Sequence, residues 1–284
     1  MLKMNAQQTN RLVTRLVAIV AALVVIPILI VLGYVTFLGI GAIDWEFLTA
    51  QPSDGMREGG IVPALLGTVF LTIGTAIVSM PLALGAAVYL AEYAGENRLT
   101  RIVRLAIVNL AGVPSIVYGL FGLGIFVLFF NFGTSLLSGS LTLGLMTLPI
   151  VISTAEEAIL AVPQEFRLVS LSLGATRWQT IRHQVLPNAL PGILTGVILG
   201  LGRAAGETAP ILFTVAAFYL PELPRSIFDQ TMALPYHLFV ISTQVPGMPL
   251  EVQYGTALVL LFFVLLLTAI ATVVRTIMRR RREW

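Results

Sequence analysis

The sequence predicts an all-α integral membrane protein with six transmembrane helices, and three observations carry that prediction. Of the 284 residues, 57% are apolar and only 11% charged, at a mean hydropathy of +0.93, whereas soluble domains carry about 25% charged residues. Uncharged runs long enough for spans of about 20 residues recur along the chain. The basic residues between those runs fall almost entirely on one side. Once the spans are set aside, too little chain remains for a large soluble domain. The absence of cysteine excludes disulfides, cysteine-ligated zinc and thiol catalysis.

Residues 1–15, with Lys3, Arg11 and Arg15, form an N-terminal segment. The first span is 16–43, too long an apolar run for a signal peptide and without a convincing small-residue cleavage site, so it is expected to be retained. An acidic loop, 44–60, precedes the second span at 59–91, which has Pro63 near its start and Pro81 inside. The 51 uncharged residues between Arg104 and Glu156 are too many for one span. The turn-rich stretch 131–140 divides them into a third span, broken by Pro114, and a fourth that runs to about residue 162. A fifth span is expected over 189–218. An irregular external segment follows at 220–251, which holds five of the fifteen prolines. A sixth span over 252–274 ends in Arg275 and a basic tail, 276–284. The membrane domain is thus 16–275.

Six spans put both termini on one side. If that side is the cytoplasm, it takes 14 of the 17 basic residues, leaving Arg57 and Arg225 outside and Arg203 in the membrane. The tail then serves as a topology anchor or as a contact for anionic membrane lipid.

Two stretches could carry function. The first is the polar interruption 163–191. Pro163 suits a first helical position, Phe166, Val169 and Leu173 recur on one face, and Gly174 can take the left-handed conformation that ends a helix. A second helix then starts. Thr176 and Gln179 have capping-box spacing, Trp178, Ile181 and Val185 form an apolar stripe, and Pro187 is expected to stop it. A capped hairpin that is basic through Arg167, Arg177 and Arg182 and offers one large aromatic is suited to docking, although an amphipathic hairpin on the membrane would share the pattern.

The second is the fifth span. Gly192, Gly196 and Gly200 repeat every four residues, allowing close helix approach either within the subunit or between subunits. Arg203 and Glu207 share a helix face by spacing. A charge at mid-bilayer costs about 2.5–3.5 kcal/mol on insertion scales, so a role is expected: a polar pathway, or an ion pair that braces the helix. Pro210 cannot donate to the carbonyl of Gly206, which opens the backbone beside the pair.

These residues resemble a known family. Gly174, nine residues, Gln184, then Val185, Leu186 and Pro187 are similar to the cytoplasmic coupling-helix loop, 163–187, of the ABC importer permeases. Leu168, Val169 and Ser170 stand where that family has Glu-Ala-Ala, and Gln184 where it has Ile. The Arg-Ala-Ala-Gly-Glu-Thr-Ala-Pro string of 203–210, Gly-Val-Pro-Ser-Ile-Val-Tyr-Gly of 112–119 and Met-Ala-Leu-Pro of 232–235 resemble its phosphate-specific branch, the A subunit in particular. The resemblance implies a type I ABC importer permease fold in the inner membrane and a heterodimer with a homologous second permease. It also implies a dimer of cytoplasmic ATP-binding subunits and an extracytoplasmic phosphate-binding protein.

On that resemblance Arg203, Glu207 and Thr208 line the substrate pathway, and Gly206, Pro210 and Pro114 break or hinge the helices. Gly174, Thr176, Arg177, Trp178, Ile181, Leu186 and Pro187 couple to the ATPase. No phosphate-cradling Gly-x-x-x-x-Gly-Lys-Ser/Thr loop occurs, so the chain is expected to be a transporter subunit and not itself an enzyme. No cofactor, metal or nucleic acid is expected; His183 and His237 are isolated in sequence. A permease for another oxyanion such as sulfate or phosphonate, or a gradient-driven anion carrier or channel, would also want an intramembrane Arg and Glu.

Overall fold

The computed structural model describes residues 6–280; Lys3, Arg281 and Arg282 lie outside them. Helix α1 (Ala6–Gly39) is already formed over half of the expected N-terminal segment. Its large apolar side chains are exposed along its length, as at Leu23, which fits a helix facing hydrocarbon. The 44–60 loop folds into a short helix α2 (Trp45–Thr49) and a two-stranded ribbon, β1 (Pro52–Ser53) antiparallel to β2 (Glu58–Gly59). Asp44 starts α2 by accepting the Phe47 N–H at 2.7 Å. Helix α3 (Val62–Val88) has Pro63 in its first turn and Pro81 inside, and continues into a π-helical turn, Tyr89–Tyr93.

The third span, read from the sequence as broken by Pro114, is bent sharply there. It is not one crossing helix but two limbs, α4 (Arg98–Ala111) and α5 (Ser115–Gly122, prolonged by a wide turn to Phe129), at 102° to each other. Pro114 explains the corner: it lacks an N–H, disfavours helix at Val113, and itself sits extended at ψ 139°. After α6 (Leu136–Leu160) come the loop helices α7 (Gln164–Ser172) and α8 (Arg177–Thr180), then α9 (Leu186–Gly206), the single turn α10 (Ala209–Leu212), α11 (Leu234–Thr243) and α12 (Leu250–Arg280). Five helical stretches among the described residues are long and apolar enough to cross a membrane, and the bent α4–α5 pair makes six if counted as one broken span.

Two expectations are corrected. The fifth span does not run to residue 218; its helix ends at Gly206, where the backbone turns extended at Glu207. Pro187 does not stop the second loop helix either. A π-helical turn, Ile181–Val185, joins α8 to α9, giving one continuous helical stretch, Arg177–Gly206. In a wide turn the carbonyls are offset by one residue, so the proline's missing N–H and its ring are tolerated in the first turn of α9.

Small residues set the packing. Gly192, Gly196 and Gly200 press against α6, where an added Cβ would lie 2.5 Å from Ala158, 2.7 Å from Thr154 and 3.0 Å from Val151. The glycine stripe therefore serves close approach within this subunit. The core has three parts: Ala87, Val151, Ile159, Ile181 and Val185 at the loop end, Leu71, Leu143, Ala204 and Val215 in the middle, and Met56, Met232, Leu234 and Ile241 at the far end.

Candidate functional site

The loop is built by local chemistry and then clamped to the bundle. Gly174, at φ +84°, ends α7; its N–H meets the Leu171 carbonyl and the Ala175 N–H meets that of Ser170, the Schellman pattern. Pro163 lies one position before the helix, as its N-cap. Thr176 opens α8 in a reciprocal capping box, its Oγ1 accepting the Gln179 N–H and the Gln179 Oε1 accepting the Thr176 N–H at 2.8 Å. Ser170 and Thr180 hydroxyls, 2.9 Å apart, tie the two helices together.

Arg167, one of the three arginines that make the hairpin basic, turns inward, while Arg177 remains exposed. Arg167 donates from Nε and Nη2 to Glu92 Oε1 at 3.0 and 2.7 Å, and from its η nitrogens to the Val162 and Ile159 carbonyls at 2.6 and 2.9 Å. Both side chains of the pair are nearly buried, at 12% and 8% exposure. The guanidinium thus caps the C-terminal end of α6, where a cation is favoured. Arg177 donates to the Glu92 carbonyl and lies over the Tyr93 ring, 4.9 Å from its centre. Glu92, which sequence reasoning passed over, is the hub of the loop's attachment. A carboxylate at the end of an apolar run was the available signal, but its partner lies 75 residues away.

The apolar stripe is also divided. Ile181 and Val185 are fully buried, whereas Trp178 is 52% exposed because α8 projects beyond the bundle end. Leu168, Val169 and Leu173 are exposed beside it. Glu165, Phe166, Val169, Leu173, Ala175 and Gln184 line a groove on the same surface. The result is a rigid, largely apolar knob with Arg167 tied behind it and Glu165, Arg177 and Arg182 exposed. Leu186 and Pro187 lie at the root of the knob, in the first turn of α9.

At the far end of α9 the second site takes shape. Arg203 Nε donates to Glu207 Oε1 at 3.1 Å, with the side chains 40% and 17% exposed. The two do not share a helix face as expected: Glu207 lies just past the helix and folds back to Arg203. Gly206 is the last helical residue, Thr208 links the two helices, and Pro210 occupies the first turn of α10, where its missing N–H costs nothing. Only Nε of Arg203 bonds the carboxylate; the η nitrogens make no bond among the described residues. A half-exposed guanidinium with two free donor nitrogens at a break in a membrane helix can take an oxyanion in a bidentate grip.

The structure also joins the strings that sequence left apart. An added Cβ on Gly119 would lie 2.9 Å from the Ala209 carbonyl and 3.0 Å from Pro210 Cα, so α5 packs directly on the break. Tyr118 anchors the corner by donating to the Leu110 carbonyl at 2.9 Å. Of residues 232–235, Leu234 donates its N–H to Thr68 Oγ1 at 2.8 Å, holding the external segment on α3. His183 bonds the Gln179 carbonyl at 3.0 Å and His237 is buried in α11.

The family model for the binding-protein-dependent transport system inner membrane component matches residues 80–284. A probable ABC transporter permease of Bacillus subtilis, YqgI, is 33% identical over 85% of this chain and 86% of its own. Phosphate transport system permease protein PstA 2 of Mycobacterium bovis is 34% identical over 92% and 85%, and PstA 1 of Mycobacterium tuberculosis is 36% identical over 79% and 72%. Among solved structures, an inward-facing MetNI methionine ABC transporter superposes at TM-score 0.63 and 17% identity, covering 77% of this chain and 95% of that one. A bacterial ABC transporter that imports alginate superposes at 0.64 and 13%, covering 98% of each. The fold is thus that of the type I ABC importer permeases, and the chain belongs to the family of binding-protein-dependent transport system inner membrane components.

Proposed function

We propose that this chain is the membrane subunit of an ATP-driven importer of inorganic phosphate, supplying half of the translocation pathway. The observation that carries this reading is the Arg203–Glu207 pair at the α9–α10 break, with η nitrogens free, in a chain whose relatives include phosphate transport permeases. Phosphate must shed water to cross about 30 Å of hydrocarbon, and a planar, permanently charged guanidinium replaces part of that shell with parallel hydrogen bonds. Glu207 neutralises Arg203 while the site is empty and competes for it when the anion leaves. Thr208 adds a hydroxyl beside them, and Gly206, Pro210 and Pro114 give the backbone its breaks.

The subunit itself makes and breaks no bonds. Energy comes from a pair of cytoplasmic ATP-binding subunits that seat the knob around Trp178. A homologous second permease completes the pathway, and an extracytoplasmic binding protein delivers the anion. Both termini and the loop lie in the cytoplasm.

Reconstituted complexes test this with labelled phosphate against labelled sulfate, with and without ATP. Arg203→Lys keeps charge but loses the fork and should impair phosphate uptake in an assembled complex. Arg203→Gln should abolish uptake and Glu207→Gln should slow it. If neutralising both residues restores full uptake, the pair is a brace and the pathway assignment is wrong; faster sulfate than phosphate transport would move the substrate to another oxyanion.

A further inference from the structure

Helix α4 has features that neither the pathway nor the loop uses. It lies at 102° to α5, and both limbs pack on α6, α5 with Gly122 against Thr142 and Gly119 against α10, and α4 through Arg104 and Ile107. Arg104 fixes the level of α4: it pairs with Glu156 near the end of α6 at 2.7 Å and donates to the Leu90 carbonyl at 3.1 Å. Leu90 belongs to the same turn as Glu92, which clamps the coupling loop. The N-terminal half of α4 therefore lies at the loop end of the bundle, where the first charges after the membrane appear, while Ile107, Leu110 and Val113 border a cavity with Leu145, Leu148, Pro149 and Ile152 farther along α6.

Its faces differ. Leu99, Ile102, Val103 and Leu110 share one arc and are exposed at 70%, 62%, 39% and 47%. Arg98, Arg101 and Arg104 recur every three residues on another side of the helix. With Glu96, Asn97, Thr100, Leu105 and Val108 they line a groove of about 600 Å³, so exposed apolar side chains, Leu105 at 56% and Val108 at 63%, also lie on the arginine side. Asn97 is occupied, its Oδ1 accepting the Thr100 N–H and hydroxyl at 2.9 and 3.1 Å. Arg104 is held by Glu156. Arg98 and Arg101 form no ion pair among the described residues, nor does Glu96 on the rim.

We infer that the N-terminal half of α4 lies in the membrane interface on the loop side and that Arg98 and Arg101 hold the phosphate of anionic phospholipid headgroups. A helix whose loop end has an exposed apolar arc beside a row of arginines fits a lipid surface in both chemistry and charge. The apolar arc enters the acyl boundary, and the two unpaired guanidinium forks meet the phosphodiester above it.

The test uses the full chain in phosphatidylcholine vesicles containing a minor fraction of phosphatidylglycerol. Spin-labelled phosphatidylglycerol should associate with the protein several-fold more strongly than spin-labelled phosphatidylcholine, and an Arg98→Gln/Arg101→Gln protein should show near parity. Inorganic phosphate at millimolar concentration should leave the preference unchanged. A nitroxide on Ile102→Cys, in a chain without other cysteines, should be open to oxygen at a depth just below the headgroups. An undiminished preference in the double variant, or displacement of the lipid by phosphate, would overturn the assignment. So would an Ile102 nitroxide shielded from both oxygen and aqueous relaxant, since that places a protein on this face.

Discussion

Glu92 shows how much one carboxylate can hold. Replacing it with alanine leaves the Arg167 guanidinium nearly buried without its counter-charge, at a cost of about 3–5 kcal/mol. Purified Glu92→Ala protein should therefore melt well below the parent in detergent, and adding Arg167→Leu should recover much of the loss. Equal melting of the single and double variants would mean the pair does not close. His237 gives a second residue-level expectation. Burial in α11 pushes its imidazole down to about 4, and its Nδ1 has no hydrogen-bond partner. The folded state holds it neutral while the unfolded chain protonates near 6.5. Stability from this group is complete above about pH 6.5 and is lost as pH falls toward 4, reaching about 2 kcal/mol at pH 5. Thermal unfolding at pH 7.5 and pH 5 should show that drop, and His237→Leu should flatten it. Sequence revealed Gly174, the Thr176–Gln179 box and the Arg203–Glu207 pairing because each lies within four residues of its partner. It could not reveal Glu92 with Arg167, because no local pattern links positions 75 apart.

At the scale of the element, the loop was legible as two capped helices, but its faces were not. Periodicity marks residues that repeat on one side of a helix; it does not say where the helix leaves the bundle, so Trp178 was grouped with Ile181 and Val185 although only the latter two are buried. Its exposure gives the knob assignment a direct test. Trp178→Ala should leave the chain folded and reduce association with the ATP-binding subunits, by about 2 kcal/mol or more if it acts as an interface hot spot. Gly174→Val forces a β-branched residue to φ +84°, at about 1–3 kcal/mol, and should weaken the same association by tilting α8. Normal ATPase binding and uptake in both variants would remove the loop from coupling. The fifth span was misjudged for a related reason. Proline was read as a stop at 187, where a wide turn absorbs it, and residues after Gly206 were read as helix because they are apolar.

Across the whole molecule, composition and uncharged runs were enough to disclose a helical membrane protein with about six crossings and Pro114 to mark the break in the third, while the size of the bend there depends on how both limbs pack on α6. The orientation of the bundle rests on the 14 basic residues on one side and is open to a simple measurement. Single cysteines at Ser53 or Ser226 should react with a membrane-impermeant thiol reagent in intact cells, and one at Ser172 should not; strong labelling at Ser172 would invert the topology. The two sites lie at opposite ends of one uninterrupted helical stretch, Arg177–Gly206, because the π turn carries the chain past Pro187 without a break. Thirty residues of helix make a lever about 45 Å long, and tilting it by about 5° about one end swings the other by about 4 Å. Arg203 and Glu207 ride on that same end, so a small rocking of the knob around Trp178 would carry the ion pair as a unit along α6 at the other end of the helix.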